Sequence, residues 1–359
     1  MLRSSSIVPA EPMARHVLVL SPDLDQAQAI MRCLGGAVPD RDLKVGHVRD
    51  DCIVIGTGGN GKAIADVTAA FDVVVPTGSR CTAYMLRRYG CVRLGQIAMD
   101  DAALKWFDKP WSLTFAEAQG IAVPRTWQCA DEIPPDLDRI FYKPGREGVI
   151  GERSWVRRAG DLPADVRRPG GGFIFQEVIP GAEVYSYGFL ADRGRTLAGV
   201  GLLERFSCPP DGGSAALMEL YDDARLVERA ERLIAAAAYS GWGLVEFKWC
   251  PRREDYVLME INPKFWASLE LALRTQPRFP KLLFDVDVAA EPIRRMWWPS
   301  RVCMMGIDNW PWQLAALGGA HRARERLGAR PLIFASVPFG LQEPLRKLGR
   351  KVRDAVLRS

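Results

Sequence analysis

Two glutamates and an asparagine, spaced to share one sheet face, are the residues best suited to chemistry in this 359-residue sequence. They stand in Gly241-Trp-Gly-Leu-Val-Glu246-Phe-Lys248 and in Tyr256-Val-Leu-Met-Glu260-Ile-Asn262-Pro-Lys264. Side chains alternate along a strand, so Glu246 and Lys248 share one face while Val245, Phe247 and Trp249 fill the other. On the second strand Leu258, Glu260 and Asn262 share a face. A hairpin closed by the loop Pro251–Asp255 puts Glu246 directly opposite Glu260. Like charges facing across strands are destabilising, and a divalent cation between them removes that penalty. Two carboxylates and an amide carbonyl are hard oxygen ligands suited to Mg²⁺, which completes its octahedron with phosphate and water. The competing explanation is a solvated polar face with unrelated acids. The apolar alternate positions, which mark a hairpin packed on one side, and Lys264 just beyond favour the cation.

A second motif is weaker. Gly56-Thr57-Gly58-Gly59-Asn60-Gly61 fits G-x-G-x-x-G, and Gly56 through Lys62 nearly fits a P-loop. Both motifs aim backbone N–H groups at phosphate. Ala63 stands where a P-loop needs Ser or Thr, and Asp72 opens the next strand instead of closing it. A glycine turn in an α/β layer needs no ligand, so this one is read first as a turn, with a substrate-side anion contact and then true dinucleotide binding as the alternatives.

The elements that must hold these residues follow from periodicity. His16–Leu20 reads as a buried parallel strand, Asp25–Leu34 as a helix, Cys52–Ile55 as a second strand, Lys62–Ala70 as a helix and Asp72–Val75 as a third strand. This βαβ order predicts a parallel α/β layer over residues 14–98, after a disordered tail at 1–13. Helix then runs through Leu104–Gln119, broken or started at Pro110. Strands follow at Ile140–Lys143, Phe173–Ile179, Glu183–Leu190 and Thr196–Leu203, the last two joined by the turn Asp192-Arg193-Gly194. A helix at Ala224–Tyr239 precedes the two strands of the glutamate pair. Trp297, Trp298, Trp310 and Trp312 are core packing, a dimer contact or a pocket wall, with packing favoured. A basic amphipathic helix spans Pro344–Leu357.

Composition sets the class. With 48% apolar residues and mixed charges, the chain is a globular protein of two or three subdomains. A net charge of +5 suits anionic substrates such as nucleotides and carboxylates, without calling for nucleic acid. No apolar run approaches the ~20 residues that span a bilayer, so no stable membrane insertion is expected. The eight cysteines show neither C-x-x-C nor zinc spacing and read as reduced thiols in a cytoplasmic protein.

Glu246, Glu260-x-Asn262 and the following Pro263-Lys264-Phe265-Trp266-Ala267-Ser268-Leu269 resemble the metal-binding end of the ATP-grasp superfamily. The likeness is closest to its predicted carboxylate–amine ligase branch, similar to one half of the carbamoyl-phosphate synthase large subunit. It covers roughly residues 100–290. It implies an N-terminal α/β pre-ATP-grasp domain (14–98), a small lid subdomain (99–182), a metal-binding subdomain (183–292) and a C-terminal extension (293–359).

The resemblance also assigns residues. Lys109, after Asp108, and Lys143, before Pro144, match the two phosphate-binding lysines; an ammonium acts there as a point charge on phosphate oxygens. Gln176-Glu177-Val178-Ile179-Pro-Gly-Ala-Glu183 resembles the strand that holds the nucleoside. Glu177 and the backbone of Val178 and Ile179 would face the adenine edge, and Glu183 would accept from the ribose hydroxyls. Gly145–Gly151 resembles a phosphate-covering loop, though with spaced glycines. Arg205, with Gly212-Gly213-Ser214, matches a segment that brings an arginine to the phosphates or substrate. Lys264 stands where many relatives carry arginine and would offer one charge rather than a bidentate grip.

The implied chemistry uses ATP and Mg²⁺, with Mn²⁺ as a substitute. A small carboxylic acid becomes an acyl phosphate and an amine then captures it, releasing ADP and phosphate. A ligase with a thiol or hydroxyl nucleophile, a phosphotransferase and a non-catalytic nucleotide sensor are the alternatives. The competent residues at 109, 143, 246, 260 and 262 argue against the sensor.

Overall fold

A computed structural model of the chain describes residues 16–21, 24–37, 42–49, 52–55, 62–64, 66–137, 139–146, 154–156, 158–181, 183–208, 214–298 and 332–334. The expected tail at 1–13, Gly56–Gly61, Gly212-Gly213, Trp310, Trp312, the C-terminal basic helix and most of the expected phosphate loop lie outside these residues.

The first sheet has five strands in the order β4-β3-β2-β1-β5: β1 (His16–Leu20), β2 (Asp42–Arg49), β3 (Cys52–Ile55), β4 (Lys62–Ile64) and β5 (Val73–Pro76). Helix α1 (Leu24–Ala37) links β1 to β2. Only β2-β1-β5 is parallel; β3 and β4 add antiparallel. The layer is therefore mixed, and Cys52–Ile55 is a hairpin partner rather than the second parallel strand. That parallel place belongs to Asp42–Arg49, whose charges and glycine disguise it. Gly46 is required there: a Cβ would sit 2.9 Å from the Val54 carbonyl oxygen and 3.3 Å from Leu18 and Leu20.

The expected helix at Lys62–Ala70 does not form. Lys62–Ile64 pairs with β3, and the Asp66 carboxylate then accepts from the Thr68 N–H at 2.9 Å and its hydroxyl at 2.6 Å. That local turn takes the backbone donor a helix would need.

Helix α2 (Gly78–Tyr89) and the hairpin β6 (Cys91–Leu94)/β7 (Ile97–Asp100) lead to a 3₁₀ turn at Asp101–Phe107. Helix α3 (Lys109–Ala118) starts afresh, because Asp108 caps it by accepting from the Trp111 N–H at 3.0 Å and Pro110 fits the first turn. A four-stranded sheet follows, β10-β9-β11-β8, built from β8 (Thr126–Trp127), β9 (Ile140–Pro144), β10 (Ser154–Val156) and β11 (Phe173–Glu177). The short helix α4 (Ala164–Arg167) closes on it. Ile140, Tyr142, Leu162, Val166, Phe173 and Phe175 make this sheet a small core of its own.

The largest sheet has seven strands in the order β16-β15-β12-β13-β14-β17-β18. These are β12 (Val184–Asp192), β13 (Arg195–Cys208), β14 (Ser214–Leu220), β15 (Gly241–Cys250), β16 (Asp255–Asn262), β17 (Arg295–Trp297) and β18 (Leu332–Phe334). Arg193 and Gly194 both take positive φ in the expected hairpin turn. Helix α5 (Ala224–Ala236) buries Leu226, Ala230, Leu233 and Ile234 against one face. Helices α6 (Leu269–Thr275) and α7 (Arg278–Phe284) follow the glutamate hairpin, and α6 docks on α1. Trp298 is fully buried. Among the described residues no helix is long and apolar enough to cross a membrane.

Two chain segments border the four-stranded sheet: 119–125 leads from α3 into β8, and 177–183 leads from β11 to β12 of the seven-stranded sheet. They are pinned from the glutamate hairpin. Leu258 N–H donates to the Ala122 carbonyl at 2.8 Å, Arg253 Nη1 to the Val123 carbonyl at 2.8 Å, and Lys248 Nζ to the Gly181 carbonyl at 2.6 Å.

Candidate functional site

The hairpin register sets the site. Glu246 lies directly opposite Glu260, and a register shift follows at once between Glu246 and Phe247. Asn262 bridges the pair: its Nδ2 donates to Glu246 Oε2 at 2.5 Å and to Glu260 Oε1 at 3.0 Å. Rotation of that amide exchanges Nδ2 for Oδ1 and leaves three oxygens converging. Among the described residues no three His, Cys, Asp or Glu side chains gather as a metal cage. Two carboxylates and one amide oxygen are instead a partial shell, which suits a cation that keeps water and phosphate ligands.

Two lysines arrive from the other sheet and its leading helix. Lys143, on β9, is only 4% exposed; its Nζ donates to the Met259 carbonyl at 2.9 Å and lies 3.9 Å from Glu260 Oε2. Lys109, at the start of α3, places Nζ 4.0 Å from the same oxygen. The Lys109 N–H donates to the Gly145 carbonyl at 2.8 Å, and Arg146 pairs with Asp108 at 2.8 Å, so the first residues of the loop after β9 are fastened to the α3 cap. Lys264 follows the hairpin, its N–H bound to the Asn262 carbonyl at 2.8 Å. Among the described residues its ammonium has no ion-pair partner.

Gln176 is fully buried on β11. Its Nε2 donates to Thr126 Oγ1 at 3.0 Å, and its Oε1 has no partner. The adjoining Val178 and Ile179, past the end of the strand, make no backbone hydrogen bond to another described residue. This leaves an edge of unsatisfied donors and acceptors. The Glu177 carboxylate, expected at that edge, is taken elsewhere. It accepts from the Arg125 N–H at 2.9 Å and pairs with Arg253 and with Arg125 Nε. Burial pushes this carboxyl up, but the Arg125 N–H and the Arg253 guanidinium outweigh it and hold it below the usual carboxylate range.

Glu183 and Arg205, expected in separate roles, form one cluster. Arg205 pairs with Glu183 and donates Nε to Glu219 Oε2 at 3.1 Å, while the Tyr185 hydroxyl donates to Glu183 Oε2 at 2.8 Å. Burial pushes the Tyr185 phenol well up, and the neighbouring Glu183 carboxylate adds to it. Sequence reading passed over Tyr185, Arg125 and Arg253; nothing in the local spacing of the two arginines marks them, because their partner Glu177 is 52 and 76 residues away, whereas Tyr185 lies only two residues from Glu183.

No protein-family model matches the sequence, and no curated protein sequence does. Solved structures do match. An L-amino acid ligase from Bacillus licheniformis superposes with a TM-score of 0.53 at 12% identity, over 76% of this chain and 75% of that one. Biotin carboxylase from Campylobacter jejuni gives 0.52 at 12% identity, over 77% and 72%. A putative ATP-grasp superfamily protein from Archaeoglobus fulgidus gives 0.50 at 14% identity, over 78% and 90%. The chain has the ATP-grasp fold.

Proposed function

We propose that this chain is an ADP-forming ligase that uses ATP to activate a small carboxylic acid as its acyl phosphate and couples it to an amine. The observation that carries the reading is the convergence of Lys143 and Lys109 on the Glu246–Glu260–Asn262 group. Two lysines beside two acids answer each other's charge, yet neither lysine closes on Glu260 at hydrogen-bond distance. That spacing suits a bridging polyanion and its cation better than a finished ion pair.

In this reading Glu246, Glu260 and Asn262 hold Mg²⁺, which supplies charge neutralisation on the phosphoryl group in transit. Lys143 and Lys109 hold phosphate oxygens of the ATP substrate. The unpartnered Gln176 Oε1 accepts from an exocyclic amine, and the backbone of Val178 and Ile179 meets the rest of the base edge. Glu183 receives the ribose hydroxyls; Arg205 holds Glu183 in place instead of reaching the phosphates. Lys264 offers its charge to the activated acyl group. A carboxylate oxygen of the acid attacks the γ-phosphorus as the bond to ADP breaks. The amine then attacks the acyl carbon, phosphate leaves with that oxygen, and the amine proton passes to solvent or an acceptor base. Positioning and electrostatics carry catalysis of this kind. A cytoplasmic setting is part of the proposal, as is Mn²⁺ as a substitute cation.

The test is release of ADP and phosphate from ATP and Mg²⁺ with pooled small carboxylic acids and amino acids. Release that needs an acid and an amine together, and is lost in Glu260→Ala, supports the reading. ATP binding with no stimulation by any acid–amine pair counts against it.

A further inference from the structure

On the same sheet face as the paired glutamates stands a hydroxyl with nothing to bond. Ser186 is 1% exposed, and its Oγ has no hydrogen-bond partner. Register fixes its surroundings. Ser186 pairs directly with Glu246 on one side and with Leu202 on the other, and Glu246 pairs with Glu260. Directly opposed residues share a face, so Ser186, Glu246 and Glu260 form one row across β12, β15 and β16.

Along its own strand the same-face neighbours are Val184 and Gly188. A Cβ at Gly188 would lie 2.5 Å from the Trp266 ring, so that indole covers the next position. Of the four flanking positions, 184, 188, 202 and 246, only Glu246 carries a side chain that can accept a hydrogen bond, and the Trp266 indole offers a donor only. An alanine would fill the same space without stranding a hydroxyl, and a stranded buried hydroxyl costs stability. The hydroxyl is therefore to be explained at Glu246.

We infer that Ser186 is a positioning residue for the cation site, its Oγ–H donating to the Glu246 carboxylate once that carboxylate ligates a divalent cation. The inference rests on the metal reading above. Glu246 Oε2 now accepts from Asn262 Nδ2. When the Asn262 amide turns its carbonyl to the cation, Glu246 loses that donor. Ser186 is the donor next in the row, and it takes the vacated lone pair. The bond orients Glu246 and fixes which of its oxygens faces the cation, as outer partners of carboxylate ligands do.

The experiment is Mn²⁺ binding, read by electron paramagnetic resonance with a non-hydrolysable ATP analogue present, on the full chain and on Ser186→Ala, Ser186→Thr and Glu260→Ala. Ser186→Ala is expected to weaken Mn²⁺ binding about tenfold. Without cation its Tm should equal or exceed that of the unmodified chain. Ser186→Thr, which keeps the hydroxyl, should bind within about threefold of the unmodified chain, on the same outer-partner scale. Unchanged binding in Ser186→Ala overturns the inference. Equal weakening in both serine variants overturns it too, since volume would then be the cause. So does a lower cation-free Tm for Ser186→Ala, which makes the hydroxyl structural. If Glu260→Ala also binds Mn²⁺ normally, the metal reading itself fails.

Discussion

The two faces of the seven-stranded sheet are built on opposite terms. On the face under α5, most buried polar groups are closed by one another, Glu219 Oε1 being an exception. The Tyr256 hydroxyl donates to Asp223 Oδ2 at 2.8 Å, and Asp223 Oδ1 caps α5 by accepting from the Arg225 and Leu226 N–H groups. The Tyr187 hydroxyl donates to Glu231 at 2.9 Å, and Arg229 pairs with Asp255 at 3.2 Å. Burial, and then the Tyr221 and Asp223 hydrogen bonds, push the Tyr256 phenol far above its ordinary range. On the other face Glu246 and Glu260 oppose each other, Ser186 lacks a partner, and so do the buried indole N–H groups of Trp242 and Trp266. One sheet carries a largely saturated side under α5 and, around Glu246 and Glu260, a patch with more unsatisfied groups.

That contrast breaks first at Glu260. Glu260→Ala should lower turnover about 10³-fold or more, the scale set by losing transition-state charge stabilisation. Its stability should change by no more than about 1 kcal/mol, since a like-charge contact goes with it. Steady-state kinetics and denaturant melts on one preparation check both halves. Lys143→Met should raise the KM for ATP roughly ten- to a hundredfold, the worth of a charge-assisted hydrogen bond. Nucleotide titration against Mg²⁺-saturated protein reads this directly.

The saturated face predicts the reverse. Asp223→Ala removes a helix cap and strands the Tyr256 hydroxyl, so it should cost about 1–3 kcal/mol of stability. Turnover per folded molecule should stay within about twofold at 25 °C, because distant sites act independently. A large turnover loss without destabilisation would erase the distinction between faces.

The smallest effect belongs to the clasp between the sheets. Glu177 is held ionised below the usual carboxylate range, so its contribution is complete above the unfolded carboxylate pKa of about 4.3 and fades as pH falls through the lower folded value. Its partner Arg125 is largely exposed, which limits the contribution to about 1 kcal/mol or less. Glu177→Gln should therefore be slightly less stable than the unmodified chain at pH 7 and equal to it once the Glu177 carboxyl is protonated in both the folded and the unfolded chain. Urea melts from pH 7 to pH 3 test the convergence.

The unsaturated face was the more legible one in the sequence. Strand alternation put Glu246 and Glu260 on a hairpin, but the expected loop was one residue too long: Cys250 pairs with Asp255, and only the bulge between Glu246 and Phe247 brings Glu246 opposite Glu260. Lys109 and Lys143 carried no local signal; only the likeness to a family placed them near the acids, and their 3.9–4.0 Å approach to Glu260 spans more than a hundred residues of chain. The misread segments lie in the first sheet. Asp42–Arg49 hides its strand behind polar residues and a packing glycine, and the Asp66 turn overrides a helical-looking run. The pairing of Glu177 with Arg253 was not legible, because Arg253 sits in a turn that no spacing rule connects to it.

The central claim is that the carboxylate itself attacks phosphorus. The most direct measurement supplies the active acid with ¹⁸O in its carboxylate and examines the phosphate released on amide formation. Phosphate carrying one ¹⁸O, alongside ADP, is the predicted result. Unlabelled phosphate, or AMP in place of ADP, would contradict it.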